Sequence, residues 1–295
     1  SDSRGVSDVN NYAAQYIDQL KQLRSFKSVD RIGSDVVVIG AGMSGLACAY
    51  ELSRLGFNVT TLEAERHHVG GRVRTLRGRN SHEGDESYAE VGAMRIPTRH
   101  TLTRFYTKEM GLTLRKFVQE SDRTWAYIRN KRVRRSKEGL REIQDRFSLT
   151  VTERKMTADD MWAMAVGSVA DSLNEEELED LYRAHFQTEK LKALDGLSLN
   201  TALQNSGLSQ EAIEYLMSVY GLGTYLHSAF TEHLREEVER IWIDGFDEIV
   251  GGFDLLPRRM EVEIEKTTLL RGAKVNRVIR QGEKLITTYS DEENN

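Results

Sequence analysis

The sequence has 295 residues, of which 39% are hydrophobic and 29% are charged, and its formal net charge is -5. A chain of this length and hydrophobic content can bury a substantial core and is long enough for more than one domain. The negative net charge argues against nucleic acid or an anionic membrane as the main partner and favours a small molecule. The single cysteine, Cys48, excludes an intrachain disulfide and a cysteine-based metal site.

The chain starts at Ser1 rather than Met, and its first residues lack the apolar segment of a signal peptide. No apolar run approaches the ~20 residues that span a bilayer, so we expect a soluble protein without a membrane partner. The start at Ser1 is compatible with proteolytic processing and with secretion after it, and the compartment stays open. Apolar residues recur at helical spacing from Val9 to Leu23, which predicts an amphipathic helix over residues 8 to 25.

A βαβ unit is predicted over residues 35 to 63. The β-branched run Val36–Ile39 is typical of a parallel strand buried on both faces, and residues 58 to 63 give a second strand. Between them lies a G-x-G-x-x-G motif. Its first glycine allows a tight turn, its second lets a pyrophosphate approach the backbone, and its third lets helix and strand pack closely; they are Gly40, Gly42 and Gly45. Glu63 ends the second strand, where a carboxylate can accept hydrogen bonds from an adenosine ribose.

The next two segments contain glycines and arginines. Residues 70–74 read Gly-Gly-Arg-Val-Arg, which offers a second backbone approach and, in Arg72, a guanidinium that can bind phosphate. Residues 88–97 join a predicted strand to a helix with apolar residues on one face. Arg95 lies in this connection. A guanidinium fixed beside a cofactor suits a bidentate hold on a carboxylate, which would orient the adjacent α-carbon.

The remaining chain is helical and then mixed. Residues 138 to 237 form an acidic helical region with helix starts at Thr157 and Ser209. A helix over 255 to 265 precedes strands at 274 to 279 and 284 to 289. The basic run from Arg129 to Lys137 could bind an anion, but such runs are more often a solvated hairpin or loop.

The motif at 40–45 together with Gly70–Arg74 resembles the flavin amine oxidase superfamily, and residues 88–97 resemble the L-amino-acid oxidases, including the snake-venom enzymes. Residues 119–125 and 245–252 extend the resemblance to roughly residues 35 to 290. It implies an α/β fold in which a Rossmann-like FAD-binding domain is interleaved with a mixed substrate-binding domain and an α-helical domain. The implied parts are an N-terminal helical segment (1–34), the FAD-binding domain (35–98 and 251–295), the substrate-binding domain (99–137 and 238–250) and the helical domain (138–237).

The resemblance also implies site residues. Arg95 would hold the substrate α-carboxylate, the amides of Met43 and Ser44 would bind pyrophosphate, and Val275 would contact adenine through its backbone. The full set expected to contact FAD is Gly40, Gly42, Met43, Ser44, Gly45, Glu63, Ala64, Arg72, Gly92, Ala93, Met94, Arg95 and Val275.

One position departs from the pattern. Glu236 stands where the snake-venom enzymes carry a histidine discussed as a base, with His233 about one helical turn away and His227 further back. No catalytic base is assigned. If Glu236 faces the substrate, its charge would favour arginine or lysine over glutamate. The alternative is that it faces solvent with the other glutamates of its helix.

The implied reaction is FAD-dependent oxidation of an L-amino acid by oxygen, giving a 2-oxo acid, ammonia and hydrogen peroxide. Family members continue well past residue 295, so we expect a C-terminal companion segment or chain; a homo-oligomer stays open. Three alternatives remain. A monoamine or polyamine oxidase would have no carboxylate for Arg95 to bind, whereas an amino-acid 2-monooxygenase would share that arginine. A non-catalytic FAD-binding escort protein would need no substrate arginine.

Overall fold

The computed structural model describes residues 9–25, 33–78, 88–264 and 267–291. Residues 1–8 and 26–32 of the predicted N-terminal segment lie outside them. The α-helices are α1 (Val9–Ser25), α2 (Met43–Arg54), α3 (Thr101–Glu109), α4 (Lys137–Gln144), α5 (Ala158–Trp162), α6 (Ser168–Asp171), α7 (Glu175–Asp180), α8 (Glu189–Asp195), α9 (Leu199–Asn205), α10 (Gln210–Tyr220), α11 (Phe230–Val238) and α12 (Leu255–Ile264). The strands are β1 (Asp35–Ile39), β2 (Asn58–Glu63), β3 (Thr75–Arg77), β4 (Tyr88–Glu90), β5 (Ile96–Pro97), β6 (Leu114–Lys116), β7 (Trp125–Ile128), β8 (Lys131–Arg134), β9 (Phe246–Ile249), β10 (Thr268–Arg271), β11 (Ala273–Gln281) and β12 (Lys284–Asp291).

The chain divides into two compact units. The helical unit contains Val118–Gly245, and the sheet unit contains Val9–Phe117 with Phe246–Asn295. The predicted FAD-binding, substrate-binding and helical domain boundaries stay a prediction.

The sheet unit is built on three parallel strands in the order β1-β2-β10. The predicted βαβ unit is confirmed: β1 pairs with β2 from Asp35 opposite Asn58 to Ile39 opposite Leu62, and α2 connects them. Strand β10 was missing from the sequence prediction. Its four residues are too short to show an alternating pattern, and only pairing with β2 identifies them as a strand.

The expectation that β1 is buried on both faces is wrong for the described residues. Val38 is buried at 8% exposure, whereas Val37 and Ile39 are 45% and 55% exposed. The methyl group Cγ1 of Val38 lies 3.5 Å from where a Cβ on Gly45 of α2 would stand, so this face is covered by a helix. A β-branched run predicts a strand, but burial of both its faces requires a layer of structure on each side. The described residues cover one face of β1 only.

Helix α1 is attached to the rest of the sheet unit by a part-buried ion network. Arg24 donates two hydrogen bonds to Glu51 of α2, at 2.9 and 2.6 Å, and one to Glu109 of α3, at 3.0 Å. Tyr106 adds a bond to Glu51 at 2.9 Å. The bonds to Glu51 are the main cause that raises the pKa of Arg24. The side chains of Arg24 and Glu51 are 15% and 8% exposed, so water screens this pair little.

Replacing Arg24 by Met should therefore lower the free energy of unfolding by about 3–5 kcal/mol, because a buried carboxylate loses its cation. Urea denaturation would measure it. The matched control is Lys21→Met in the same helix, which breaks an exposed pair with Asp18 at 3.6 Å and should cost less than about 1 kcal/mol. Equal losses in the two variants would contradict this role.

The helical unit has its own apolar core, formed mainly by α4 to α11. The predicted helix starts are confirmed. Thr157 and Asp160 form a reciprocal capping box, and the Ser209 side chain accepts a hydrogen bond from the backbone of Ala212. The basic run forms the turn and the second strand of the β7–β8 hairpin, as the hairpin interpretation predicts. Among the helices within the described ranges, none has the length and apolar character needed to cross a membrane.

Candidate functional site

The predicted dinucleotide cradle, which is the glycine turn of residues 40–45, lies at the carboxyl end of β1. Gly40 has φ +91°, which strongly favours glycine, and its N–H donates to Leu62 O at 2.7 Å, joining the turn to β2. A Cβ on Gly45 would collide with the carbonyl oxygen of Gly40, so the third glycine is required for the helix to approach the turn. A Cβ on Gly42 would meet nothing within 4 Å. Space beside Gly42 is therefore open to a ligand.

The first turn of α2 fits an anionic group. Gly42 is its N-cap, and within the described part of the chain no side chain caps it. The first N–H groups of a helix have no partner within the helix and point along its positive dipole end. The amides of Met43 and Ser44 belong to this turn. Phosphate oxygens are the kind of acceptor such a helix start binds.

The Glu63 carboxylate is held next to the same turn. Its Oε2 accepts from Ala41 N at 2.6 Å, and its Oε1 accepts from Glu65 N at 2.8 Å. A carboxylate has about four acceptor positions, so two amide bonds leave capacity for ligand hydroxyls. Ala64, which follows, is exposed.

The second glycine segment lies directly against the first. Gly70 N donates to Ala41 O at 2.7 Å, and Gly70 forms a parallel bridge with Gly42. A Cβ on Gly71 would stand 3.4 Å from Gly42 Cα. Residues 28 and 29 positions apart thus form one glycine-lined surface, and the exposed side chain of Arg72 follows it. The residues present fit a dinucleotide.

The segment that carries Arg95 runs alongside residues 72–74. Ala93 N donates to Arg72 O at 3.3 Å, and a Cβ on Gly92 would collide with that same oxygen. Met94 is 39% exposed. The guanidinium of Arg95 lies over the Phe246 ring, 4.8 Å from its centre, which is cation–π geometry. The structure thus brings Gly42, the 70–72 segment and the 92–95 segment together in the sheet unit.

Two predicted site residues lie elsewhere in the chain. Val275 is half-buried in β11, opposite Tyr289 and beside an irregularity in the pairing. Glu236 belongs to α11 of the helical unit, is half-buried, and accepts a hydrogen bond from Trp242 Nε1 at 3.0 Å. The adenine role of Val275 and the substrate role of Glu236 stay predictions.

The nearby histidines differ from each other in burial. His233 is 5% exposed, its Nε2 is 2.8 Å from Ser228 Oγ, and its ring packs edge-on against Trp162 and Tyr225. Burial lowers the pKa of His233, although Glu236 and Glu232 oppose that shift. His227 is exposed. The surroundings of His233 are those of a packed, neutral histidine, which indicates a structural role for it.

Sequence reasoning assigned no role to Glu90, which the structure places at the centre of a hydrogen-bond network. Its Oε2 accepts from Thr75 Oγ1 at 2.7 Å, and its Oε1 accepts from Phe253 N at 2.7 Å. Burial raises the pKa of Glu90, although these two hydrogen bonds oppose that shift. Phe253 is 163 positions away in sequence, so no local pattern could indicate the bond.

Comparison with known proteins identifies the family. The model of flavin containing amine oxidoreductases matches residues 43–295. The sequence is 34% identical over 256 residues to L-amino-acid oxidase of Echis ocellatus, covering 86% of this chain and 48% of that protein. It is 34% identical over 257 residues to L-amino-acid oxidase of Gloydius halys, again with 86% and 48% coverage. The chain therefore spans about half the length of these relatives.

The fold is similar to that of solved flavoenzymes. Wild-type putrescine oxidase bound to putrescine matches with a TM-score of 0.54 and 19% identity, covering 87% of this chain and 55% of that one. At this identity the match supports the α/β fold and carries no information on the substrate. The family match confirms the flavin amine oxidase resemblance and FAD as the cofactor. With a family model covering most of its length, the chain belongs to the flavin containing amine oxidoreductases.

Proposed function

We propose that the full-length protein oxidises L-amino acids with oxygen, giving a 2-oxo acid, ammonia and hydrogen peroxide. The observation that carries the proposal is the position of Arg95. Its guanidinium lies over the Phe246 ring, at the end of a segment that runs along the second glycine motif. The L-amino-acid oxidase relatives, at 34% identity, support the same substrate class. Simple amines would give this guanidinium no carboxylate to bind.

The residues of this chain would bind and orient. The amides at the start of α2 and the Glu63 carboxylate would hold the pyrophosphate and ribose of FAD, and the flavin, when bound, supplies the electron acceptor. Arg95 would fix the substrate carboxylate with two charge-assisted bonds, which would orient the adjacent α-carbon for reaction. No side chain of this chain is assigned as a base.

Product analysis tests the reaction class. The purified full-length protein should consume oxygen with amino acids and release hydrogen peroxide and a 2-oxo acid in equal amounts. A carboxamide with carbon dioxide would instead indicate a monooxygenase. Turnover of primary amines but not amino acids would indicate an amine oxidase, and bound FAD without turnover of either would indicate a binding protein.

We further propose a preference for arginine and lysine, with Glu236 as one determinant. Its half-buried carboxylate is held in place by Trp242 and can attract a distal cation and repel an acidic side chain. Glu236→Gln should reduce the ratio of kcat/KM for arginine over leucine by about ten-fold, the size of one charge-assisted hydrogen bond.

Glu232→Gln in the same helix is the matched control, because Glu232 is 61% exposed and pairs with Arg235. Steady-state kinetics with arginine, lysine, leucine, phenylalanine and glutamate would decide. A parent enzyme that prefers apolar substrates, with a ranking that Glu236→Gln leaves unchanged, would show that Glu236 is a surface charge only.

A further inference from the structure

The segment that carries Arg95 runs along residues 72–74, and both its ends are also attached to a second stretch of chain. At its C-terminal end β5 pairs with β9, with Ile96 opposite Asp247. At its N-terminal end Glu90 accepts the 2.7 Å hydrogen bond from Phe253 N. Because β9 leads on to Phe253, both attachments go to residues 246–253. Arg95 lies between them, and its guanidinium contacts Phe246 of the same stretch.

The Glu90 attachment is fixed by a network behind it. Thr75 Oγ1, which donates to Glu90, also accepts from Asp254 N at 3.1 Å. Asp254 accepts two hydrogen bonds from Arg77, at 2.8 and 2.7 Å, and its side chain is 5% exposed. Bidentate, charge-assisted bonds of this kind are strong and directional. The Arg77–Asp254 bonds thereby fix the two groups that bind the Glu90 carboxylate, the Thr75 hydroxyl and the Phe253 amide.

A carboxylate matches this position chemically. The two groups that face Glu90 are donors, an N–H and an O–H, and an ionised carboxylate accepts from both. Alanine would leave the Phe253 N–H without this acceptor. Glutamine could still accept from Phe253 with its oxygen and donate to Thr75 with its amide, so it would keep the attachment.

We infer that Glu90 is a positioning residue for Arg95. By accepting the hydrogen bond from the Phe253 N–H, Glu90 fixes the 90–95 segment against residues 246–253. The inference rests on the proposed binding of the substrate carboxylate by Arg95. Glu90 itself touches neither substrate nor cofactor in this assignment. Glu90 would affect catalysis by fixing the position of the Arg95 guanidinium. A displacement of about 1 Å can cost a large part of the rate.

Kinetics of Glu90 variants in the full-length protein test this inference. Glu90→Ala should raise KM for the preferred amino acid by about ten-fold, while the Kd for FAD should change by a smaller factor, because most of the expected FAD contacts lie outside the 90–95 segment. Glu90→Asp keeps the charge but shortens the reach, and it should show the same KM effect if Glu90→Ala does not fold. Glu90→Gln should restore most of the affinity.

Two controls separate positioning from a general structural role. Glu248→Ala removes a different carboxylate, on β9, whose partners are Arg115 and, at 3.4 Å, the Tyr88 hydroxyl. Because the ion pair is exposed on its arginine side and the hydroxyl contact is long, this variant should change KM by less than about two-fold. The amine that corresponds to the amino acid without its carboxylate should bind equally well to parent and Glu90→Ala proteins. A loss that affects amine, amino acid and FAD alike would indicate a structural role and overturn the inference.

The double variant separates this inference from the proposed function. In an Arg95→Met background, Glu90→Ala should add less than about two-fold to KM, because the group that it positions is gone. An Arg95→Met variant with unchanged amino-acid KM would overturn the proposed function. If Arg95→Met raises KM, the role of Glu90 alone would be overturned by either of two results: Glu90→Ala has no effect on KM in the parent protein, or its full effect persists in the Arg95→Met background.

Discussion

Replacing Arg95 by Met in the full-length protein should lower kcat/KM for amino acids by at least one to two powers of ten while leaving FAD bound. The removed guanidinium would otherwise make charge-assisted hydrogen bonds to the substrate carboxylate, each worth about 1.5–3 kcal/mol. Loss of orientation at the α-carbon would add to this. Because Arg95 lies over Phe246 and Met can occupy the same apolar surface, we expect the fold to persist.

Arg95→Lys is the informative companion. Lysine keeps the charge but lacks the planar fork, so it should recover only part of the activity. Steady-state kinetics and the flavin released on heat denaturation give the two readouts. An Arg95→Met protein with parental kinetic constants would show that the guanidinium does not bind substrate. Loss of bound FAD together with activity would show that Arg95 binds the cofactor rather than the substrate.

The second large effect is expected from substitutions of two cradle glycines, Gly45 and Gly42, which are required for different reasons. In Gly45→Ala the new methyl group would collide with the Gly40 carbonyl oxygen, so helix α2 must move away from the turn. We expect a loss of about 1–3 kcal/mol or more in the stability of the apoprotein, together with weakened FAD binding. In Gly42→Ala the methyl group meets no protein atom within 4 Å and φ is -70°, so the apoprotein should fold normally. FAD affinity should fall because the methyl group occupies the space left for pyrophosphate.

Thermal unfolding of the apoproteins and titration with FAD separate these outcomes. The expected pattern is a destabilised Gly45→Ala apoprotein and a stable Gly42→Ala apoprotein, both with weakened FAD binding. A Gly45→Ala protein as stable as the parent would contradict the close helix–turn contact. A Gly42→Ala protein with parental FAD affinity would contradict the phosphate role of this turn.

Local features of the sequence determined much of the fold. The bounds of β2 and the start at Thr157 were predictable because turn glycines, capping side chains and apolar periodicity act within a few residues. The dinucleotide motif was predictable for the same reason, since Gly40, Gly42 and Gly45 serve one strand-to-helix turn. The resemblance of these motifs to the flavin amine oxidase superfamily indicated the family, and the family comparison confirms it.

Contacts between distant residues decided the rest. Only the folded chain places Gly70 against Gly42, brings the Phe253 amide to Glu90, pairs β10 with β2 and leaves Val37 exposed. The sequence by itself determined which residue types are available for a cofactor cradle and a carboxylate site. The tertiary structure decided which of them meet, because a hydrogen bond or packing contact across many residues depends on how the whole unit closes and leaves no periodic trace along the chain.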